Sequence, residues 1–187
     1  MKMEKILFIN GCVRPSSRTL ELSKYVLDNL SGEVTEVKLY DKEFSPLSLN
    51  EMELRENSAK SKDFSHSAFS LAKQFAKADI ILIGVPYWDL MFPAVLKNYL
   101  EKITVNGLTF AYSNEGVPYG LCNAKKLIYV TTSGGPIKYN FGYEYVSALA
   151  KSFYGINDTL CVKAECLDIH GSDITAIMEE AKKSFKN

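Results

Sequence analysis

The chain alternates between two patterns. Short, nearly continuous apolar runs are separated by longer segments whose apolar residues recur every three or four positions. The first run, KILFIN (Lys5–Asn10), closes on Asn-Gly and reads as a buried strand. In the next segment, SSRTLELSKYVLDNL, Leu20, Tyr25, Val26 and Leu30 fall near one face at helical spacing, with Ser or Thr ahead as a cap. Glu33–Tyr40 alternates polar with apolar, as a strand with one more exposed face does. Asp79–Pro86, DIILIGVP, is apolar almost throughout and β-branched, the mark of a central parallel strand covered on both faces. Lys125–Thr132 and Thr159–Leu167 read as two more strands, the second placing Cys161 and Cys166 on opposite faces. Helical spacing marks Phe64–Ala78, then Pro93–Ile103 with Pro93 in its first turn. It returns in Tyr143–Gly155, stopped by its glycine, and in Ser172–Phe185, capped by Ser172 or Asp173. Asp41–Lys62 is the least regular stretch, predicting a short helix in part and mobile surface over much of it.

Five alternations of strand and helix predict an α/β sandwich: one parallel sheet with helices on both faces, placed there by right-handed crossovers. No repeat or linker divides the chain, so residues 1–187 read as a single domain. Composition narrows the function classes. The chain is 47% hydrophobic and 24% charged, ordinary for a globular protein, with formal net charge zero. A nucleic-acid partner would call for a basic footprint, which is lacking. No apolar run has membrane-spanning length, and the charged start leads into too short an apolar run for a signal peptide. Four cysteines without a C-x-x-C pair then read as reduced thiols in a cytoplasm. The two histidines, His66 and His170, lack ligand spacing, so no metal site is expected.

In folds of this class ligands bind beyond the carboxyl ends of the strands, near a topological switch point. Three loops leave strand ends with unusual chemistry. NGCVRPSSRT (Asn10–Thr19) carries hydroxyls at Ser16, Ser17 and Thr19, guanidinium groups at Arg14 and Arg18, and the start of a helix. That set suits a single phosphate, and an ordinary capped helix with surface arginines is the plainer alternative. PYWDLMFP (Pro86–Pro93) places the only tryptophan and several apolar residues in a connection. It can hold a flat ring while its backbone makes polar contacts, or serve as core packing or a subunit interface. TTSGGP (Thr131–Pro136) is either an anion-binding nest of N–H groups or a simple turn. Cys12, at a helix start near arginines, reads either as a reactive thiol or as a small residue in a tight turn.

These stretches together resemble the flavodoxin-like NAD(P)H:quinone oxidoreductase family, in particular its FMN-dependent azoreductase branch. The likeness spans nearly the whole chain and is densest where PYWDLMFPAVLKNYLEKI, GLTFAY, PYGL and KKLIYVTTSGG follow one another, with NGCVRPSSRT in place of the family's phosphate loop. The resemblance implies a flavodoxin-like three-layer sandwich with a five-stranded parallel sheet of order 2-1-3-4-5. It implies FMN at the strand carboxyl ends, NADH or NADPH as electron donor, a quinone or azo acceptor, and a homodimer with sites at the interface. Carried over by position, Ser17, Arg18 and Thr19 match the phosphate-holding residues, with Cys12 and Arg14 in the same loop. Pro86, Tyr87, Trp88, Asp89 and Leu90 match the loop along the flavin ring. Thr132, Ser133, Gly134 and Gly135 match the loop at its pyrimidine edge. Tyr112 matches an aromatic over the substrate space, and Phe153 one reaching into the partner's site. The chain departs from the family pattern at Cys12, Tyr87, Asp89 and Ser133, where Ser, Met, Asn and Arg are common. The flavin would carry the chemistry, so no catalytic side chain is expected. The alternatives are a flavodoxin-like electron carrier, whose usual acidic surface and T-G-x-T loop are missing, and a non-enzymatic flavin-binding sensor. A hydrolase would need a nucleophile elbow that the chain lacks.

Overall fold

The computed structural model describes residues 3–41 and 43–186. Seven strands occur among them: β1 (Lys5–Asn10), β2 (Glu33–Lys38), β3 (Ile80–Gly84), β4 (Phe110–Tyr112), β5 (Pro118–Gly120), β6 (Lys126–Thr132) and β7 (Asp158–Ala164). Six α-helices connect them: α1 (Arg18–Asp28), α2 (Leu49–Ser61), α3 (Ser70–Lys77), α4 (Ala94–Ile103), α5 (Phe141–Leu149) and α6 (Ile174–Lys186). Five strands form one parallel sheet in the order β2-β1-β3-β6-β7. Counted within the sheet this is 2-1-3-4-5, the expected flavodoxin-like arrangement.

Strand alternation divides the core in two. Ile6, Phe8, Leu82, Ile128, Val130 and Val162 face Leu22 and Val26 of α1 and Met178 and Ala181 of α6. Their neighbours Leu7, Ile9, Ile81, Ile83, Leu127 and Tyr129 turn the other way, onto Phe75 of α3, Leu96 and Tyr99 of α4, and Val146 of α5. Each such side chain taken out of water stabilises the fold by about 1.5–3 kcal/mol. Covered on both faces, β3 can only be a continuous apolar run. Of the predicted face, Leu20, Tyr25, Val26 and Leu30, only Val26 is fully buried, while Leu20 and Leu30 pack at the margin of the core. Helix α1 buries Thr19, Leu22, Ser23 and Val26. Gly84 makes that contact possible, since a Cβ there would lie 2.4 Å from Ser23 Oγ.

Two expectations are corrected, and one element appears for which none was stated. Asp41–Lys62 is not mostly mobile surface, because α2 occupies thirteen of its residues. Ser48 and Glu51 cap that helix reciprocally, and Glu51 pairs with Lys102 of α4. Arg55 donates to the carbonyls of Glu101 (2.9 Å), Lys102 (3.0 Å) and Thr104 (3.3 Å), closing the carboxyl end of α4. The weak apolar periodicity of α2 hid it, since its polar groups, not a buried stripe, fasten it. Second, the last strand stops at Ala164, and Cys166 lies beyond it in a left-handed turn (φ 63°), so the two cysteines do not share a strand. Beyond these, β4 and β5 form an antiparallel hairpin that three-residue strands do not announce. It packs on the wider helical turn Ala150–Tyr154 that extends α5, at Gly120, where a Cβ would overlap the Tyr154–Gly155 peptide. Gly155 ends that turn in the left-handed region (φ 75°), as expected, and Asp173 caps α6 by accepting from Ala176 N–H at 3.0 Å.

Candidate functional site

The chain leaves β1 toward the α1 face and β3 toward the α4 face, so a crevice opens between their carboxyl ends. A cavity of about 410 Å³ lies there. Its lining draws on all three loops: Arg14 to Thr19 after β1, Pro86 to Trp88 after β3, and Thr132 to Gly134 after β6. Leu167 and Asp168, from the loop after β7, complete it.

At one end Ser17 caps α1, its hydroxyl accepting from Leu20 N–H at 3.3 Å. The next two N–H groups, of Arg18 and Thr19, have no acceptor among the described residues and lie at the positive end of the helix dipole. The hydroxyls of Thr19 and Thr132 are 2.6 Å apart and join the first loop to the third. The Arg18 guanidinium reaches across the cavity, its Nη1 donating to the Leu167 carbonyl at 3.2 Å and to Asp168 Oδ1 at 2.8 Å. Arg14 is exposed, with no side-chain partner among the described residues.

The third loop is zipped to the loop after β7. Ser133 N–H donates to the Ala164 carbonyl, Leu167 N–H to the Ser133 carbonyl, and Asp168 N–H to the Gly134 carbonyl, at 3.0–3.1 Å. The Ser133 hydroxyl turns onto the Gly135 carbonyl. Ser133 N–H is therefore occupied, and Gly134 and Gly135 retain the open N–H groups. Asp168 lies close over Gly134: a Cβ there would come within 2.5 Å of Asp168 Oδ2.

The aromatic loop divides its residues. Phe92 turns into the core, its ring 5.9 Å from that of Tyr145. Trp88 is 46% exposed and Leu90 48%. Trp88 and Met91 exchange backbone hydrogen bonds of 3.1 and 2.8 Å, closing a two-residue turn. Its central residues, Asp89 (φ 50°) and Leu90 (φ 68°), are both left-handed. Asp tolerates that region, whereas for Leu it costs about 1–2 kcal/mol. Tyr87 donates its hydroxyl to the Tyr139 carbonyl at 2.7 Å, and its N–H donates to Thr132 at 3.0 Å. A second, apolar hollow of about 710 Å³ lies behind Trp88, against Tyr40, Met91, Phe92, Pro93 and Val95.

The structure thus gathers Arg14, Ser17, Arg18, Thr19, Pro86, Tyr87, Trp88, Thr132, Ser133 and Gly134 around one cavity. Cys12, Asp89, Leu90, Gly135, Tyr112 and Phe153 do not line it. The Cys12 thiol points to the Gly84 carbonyl (3.7 Å), and burial pushes its pKa up, only partly opposed by a contact with Ser17. That is a small residue filling a tight turn, not an activated thiolate. Tyr112 and Phe153 each pack edge-on against Phe110, with ring centroids 5.3 and 4.9 Å from it. Leu167 and Asp168 were missed. The signal for them was available, because their loop also leaves the carboxyl end of a sheet strand. Among the described residues no cluster of His, Cys, Asp or Glu has the arrangement of a metal site, and no helix is long and apolar enough to cross a membrane.

Comparison with known proteins follows the same outline. A protein family described as having a flavodoxin-like fold matches residues 4–187. A protein of Clostridium acetobutylicum, named FMN-dependent NADH:quinone oxidoreductase 2, is 34% identical, covering 98% of this chain and 99% of its own. An FMN-dependent NADH:quinone oxidoreductase of Clostridium beijerinckii is 32% identical, with 99% and 100% covered. The crystal structure of an azoreductase from Bacillus anthracis superposes with a TM-score of 0.81 at 27% identity, over 98% of this chain and 99% of that one.

Proposed function

We propose a function from one premise: the chain belongs to the family with the flavodoxin-like fold. We infer that it is an FMN-dependent oxidoreductase carrying two electrons from NADH or NADPH to a quinone or azo acceptor. The observation that carries this reading is the convergence of three strand-end loops on one cavity, with open helix N–H groups at one end and half-exposed rings at the other.

FMN asks for one phosphate site and one flat site with a polar edge, and the residues fit both. Arg14, the Ser16 and Ser17 hydroxyls and the Arg18 and Thr19 N–H groups would hold the phosphate. Pro86, Tyr87 and Trp88 would lie along the ring, with the turn at Asp89 and Leu90 setting where Trp88 stands. Thr132 and the open N–H groups of Gly134 and Gly135 would meet the polar edge and stabilise negative charge there. When bound, FMN supplies reversible hydride chemistry that no side chain here offers. The protein's part is to position the ring, exclude water from one face and leave the other open. Donor and acceptor would use that open face in turn, a ping-pong order.

The exposed Trp88 and Leu90 and the apolar hollow behind Trp88 support a homodimer, since a lone domain rarely leaves such surface bare. In it, Tyr112 and Phe153 would wall the acceptor space of one site or its partner's. Four unbridged cysteines suit a reducing cytoplasm. The decisive experiment is the visible spectrum of purified protein without air, before and after NADH. Flavin absorption that bleaches on NADH and returns on adding a quinone supports the reading. Protein that is colourless and takes up no FMN overturns it.

A further inference from the structure

The sequence makes Arg18 a phosphate ligand, but the structure shows it already engaged. Its Nη1 holds the Asp168 carboxylate and the Leu167 carbonyl together. We propose that Asp168 is a built-in counter-ion for the phosphate end of the cavity: it occupies Arg18 when no phosphate is bound, competes with the phosphate for it, and so sets how tightly FMN is held. This inference rests on the flavin reading above and names a residue that limits, not assists, cofactor binding.

The backbone that carries the carboxylate is held in place. Asp168 N–H donates to the Gly134 carbonyl at 3.0 Å, and the side chain lies close over Gly134, where a Cβ would come within 2.5 Å of Oδ2. Asp168 also lines the same cavity as Arg14, Ser17 and Thr19, so its charge faces whatever binds there. A flavin phosphate carries close to two negative charges near neutral pH. Two guanidinium groups and the roughly half charge of a helix start would balance it. The carboxylate removes one positive charge from that balance.

A carboxylate beside an arginine can also act by orienting it, and the geometry separates the two roles. The Leu167 carbonyl holds the same Nη1, and Leu167 is itself fixed by its N–H donating to Ser133 at 3.1 Å. The direction of Arg18 therefore survives loss of the carboxylate, whereas the negative charge does not. The exposure of the pair (38% for the Arg18 side chain, 71% for Asp168) keeps the orienting contribution small.

The test compares FMN with riboflavin, which has the same ring and no phosphate. Flavin-free protein is titrated with each by fluorescence, for the wild type, Asp168→Asn, Asp168→Ser and Asp168→Glu. Asp168→Asn is expected to tighten FMN roughly fivefold and leave riboflavin within about twofold, an effect that shrinks in high salt. Asp168→Ser, smaller against Gly134, should move the same way, and Asp168→Glu should keep the wild-type ratio. An unchanged or weakened FMN affinity in both neutral variants overturns the inference, as does equal tightening of both flavins. If wild-type protein binds neither flavin, the flavin reading fails and takes the inference with it. If it binds FMN and the ratio ignores Asp168, the inference alone fails.

Discussion

Two surface segments carry much of the chain's polar sequence and use it in opposite ways. Along α2 the polar groups that turn toward the protein are satisfied there, while Glu53, Glu56 and Lys60 face solvent: Ser48 and Glu51 close the helix start, Glu51 meets Lys102, and Arg55 takes three carbonyls at the end of α4. At the strand ends the reverse holds. N–H groups of Arg18, Thr19, Gly134 and Gly135 stay open, Trp88 is bared, and Leu90 is held in a backbone region it disfavours. A fold that satisfies its hydrogen bonds elsewhere and leaves a cluster of donors open at one place marks that place for a ligand. Strain retained there points the same way.

The comparison breaks most readily at Arg55. Arg55→Ala leaves the end of α4 without its cationic cap and is expected to cost about 2–3 kcal/mol in urea unfolding, with FMN affinity unchanged. Lost FMN affinity at intact stability would mean that the two regions are not separate. The mirror experiment is Trp88→Ala, expected to weaken FMN about tenfold while shifting unfolding by less than about 1 kcal/mol, since the ring is half exposed. Trp88→Phe should retain most of the affinity, and tryptophan emission should fall as FMN is added. Leu90→Gly releases the left-handed strain and is expected to stabilise the fold by about 0.5 kcal/mol, a gain seen in thermal unfolding of the apo-protein.

An equally small effect belongs to Glu51→Gln, which keeps the cap and removes the ion pair. Its hydrogen bond with Lys102, then those with Ser48, hold the Glu51 carboxyl down at about 2, against 4.5 unfolded. A depressed carboxyl stabilises above its unfolded value and loses that contribution as pH falls toward the folded one. Glu51→Gln should therefore cost about 0.5 kcal/mol at neutral pH, and its difference from wild type should close between pH 4.5 and 2. Acid-unfolding curves that stay parallel across that window would place the stabilisation elsewhere.

The layered fold was legible because burial on two faces leaves a strand no choice of residue: β1, β3 and β6 must be apolar runs, and such runs stand out. The three loops were legible because they break the pattern, placing hydroxyls, arginines, glycines and aromatics where a plain connection needs none. Helix α2 was illegible for the opposite reason. It is fastened by a cap, by one ion pair and by an arginine donating to carbonyls, with partners some fifty positions away, and no local periodicity reports those.

By itself, then, the sequence determined the layers, the alternation of strands and helices and the three loops that surround the cavity, all of which depend on local pattern, whereas the order of strands in the sheet was implied by the family resemblance. Only the tertiary structure decided which groups in those loops remain available. It turned the Cys12 thiol onto a carbonyl, occupied Ser133 N–H with Ala164, and brought Asp168, 150 positions along the chain, onto Arg18. Hydrogen-bond donors and charges act within a few ångströms in space, and a partner that close can lie anywhere along the chain.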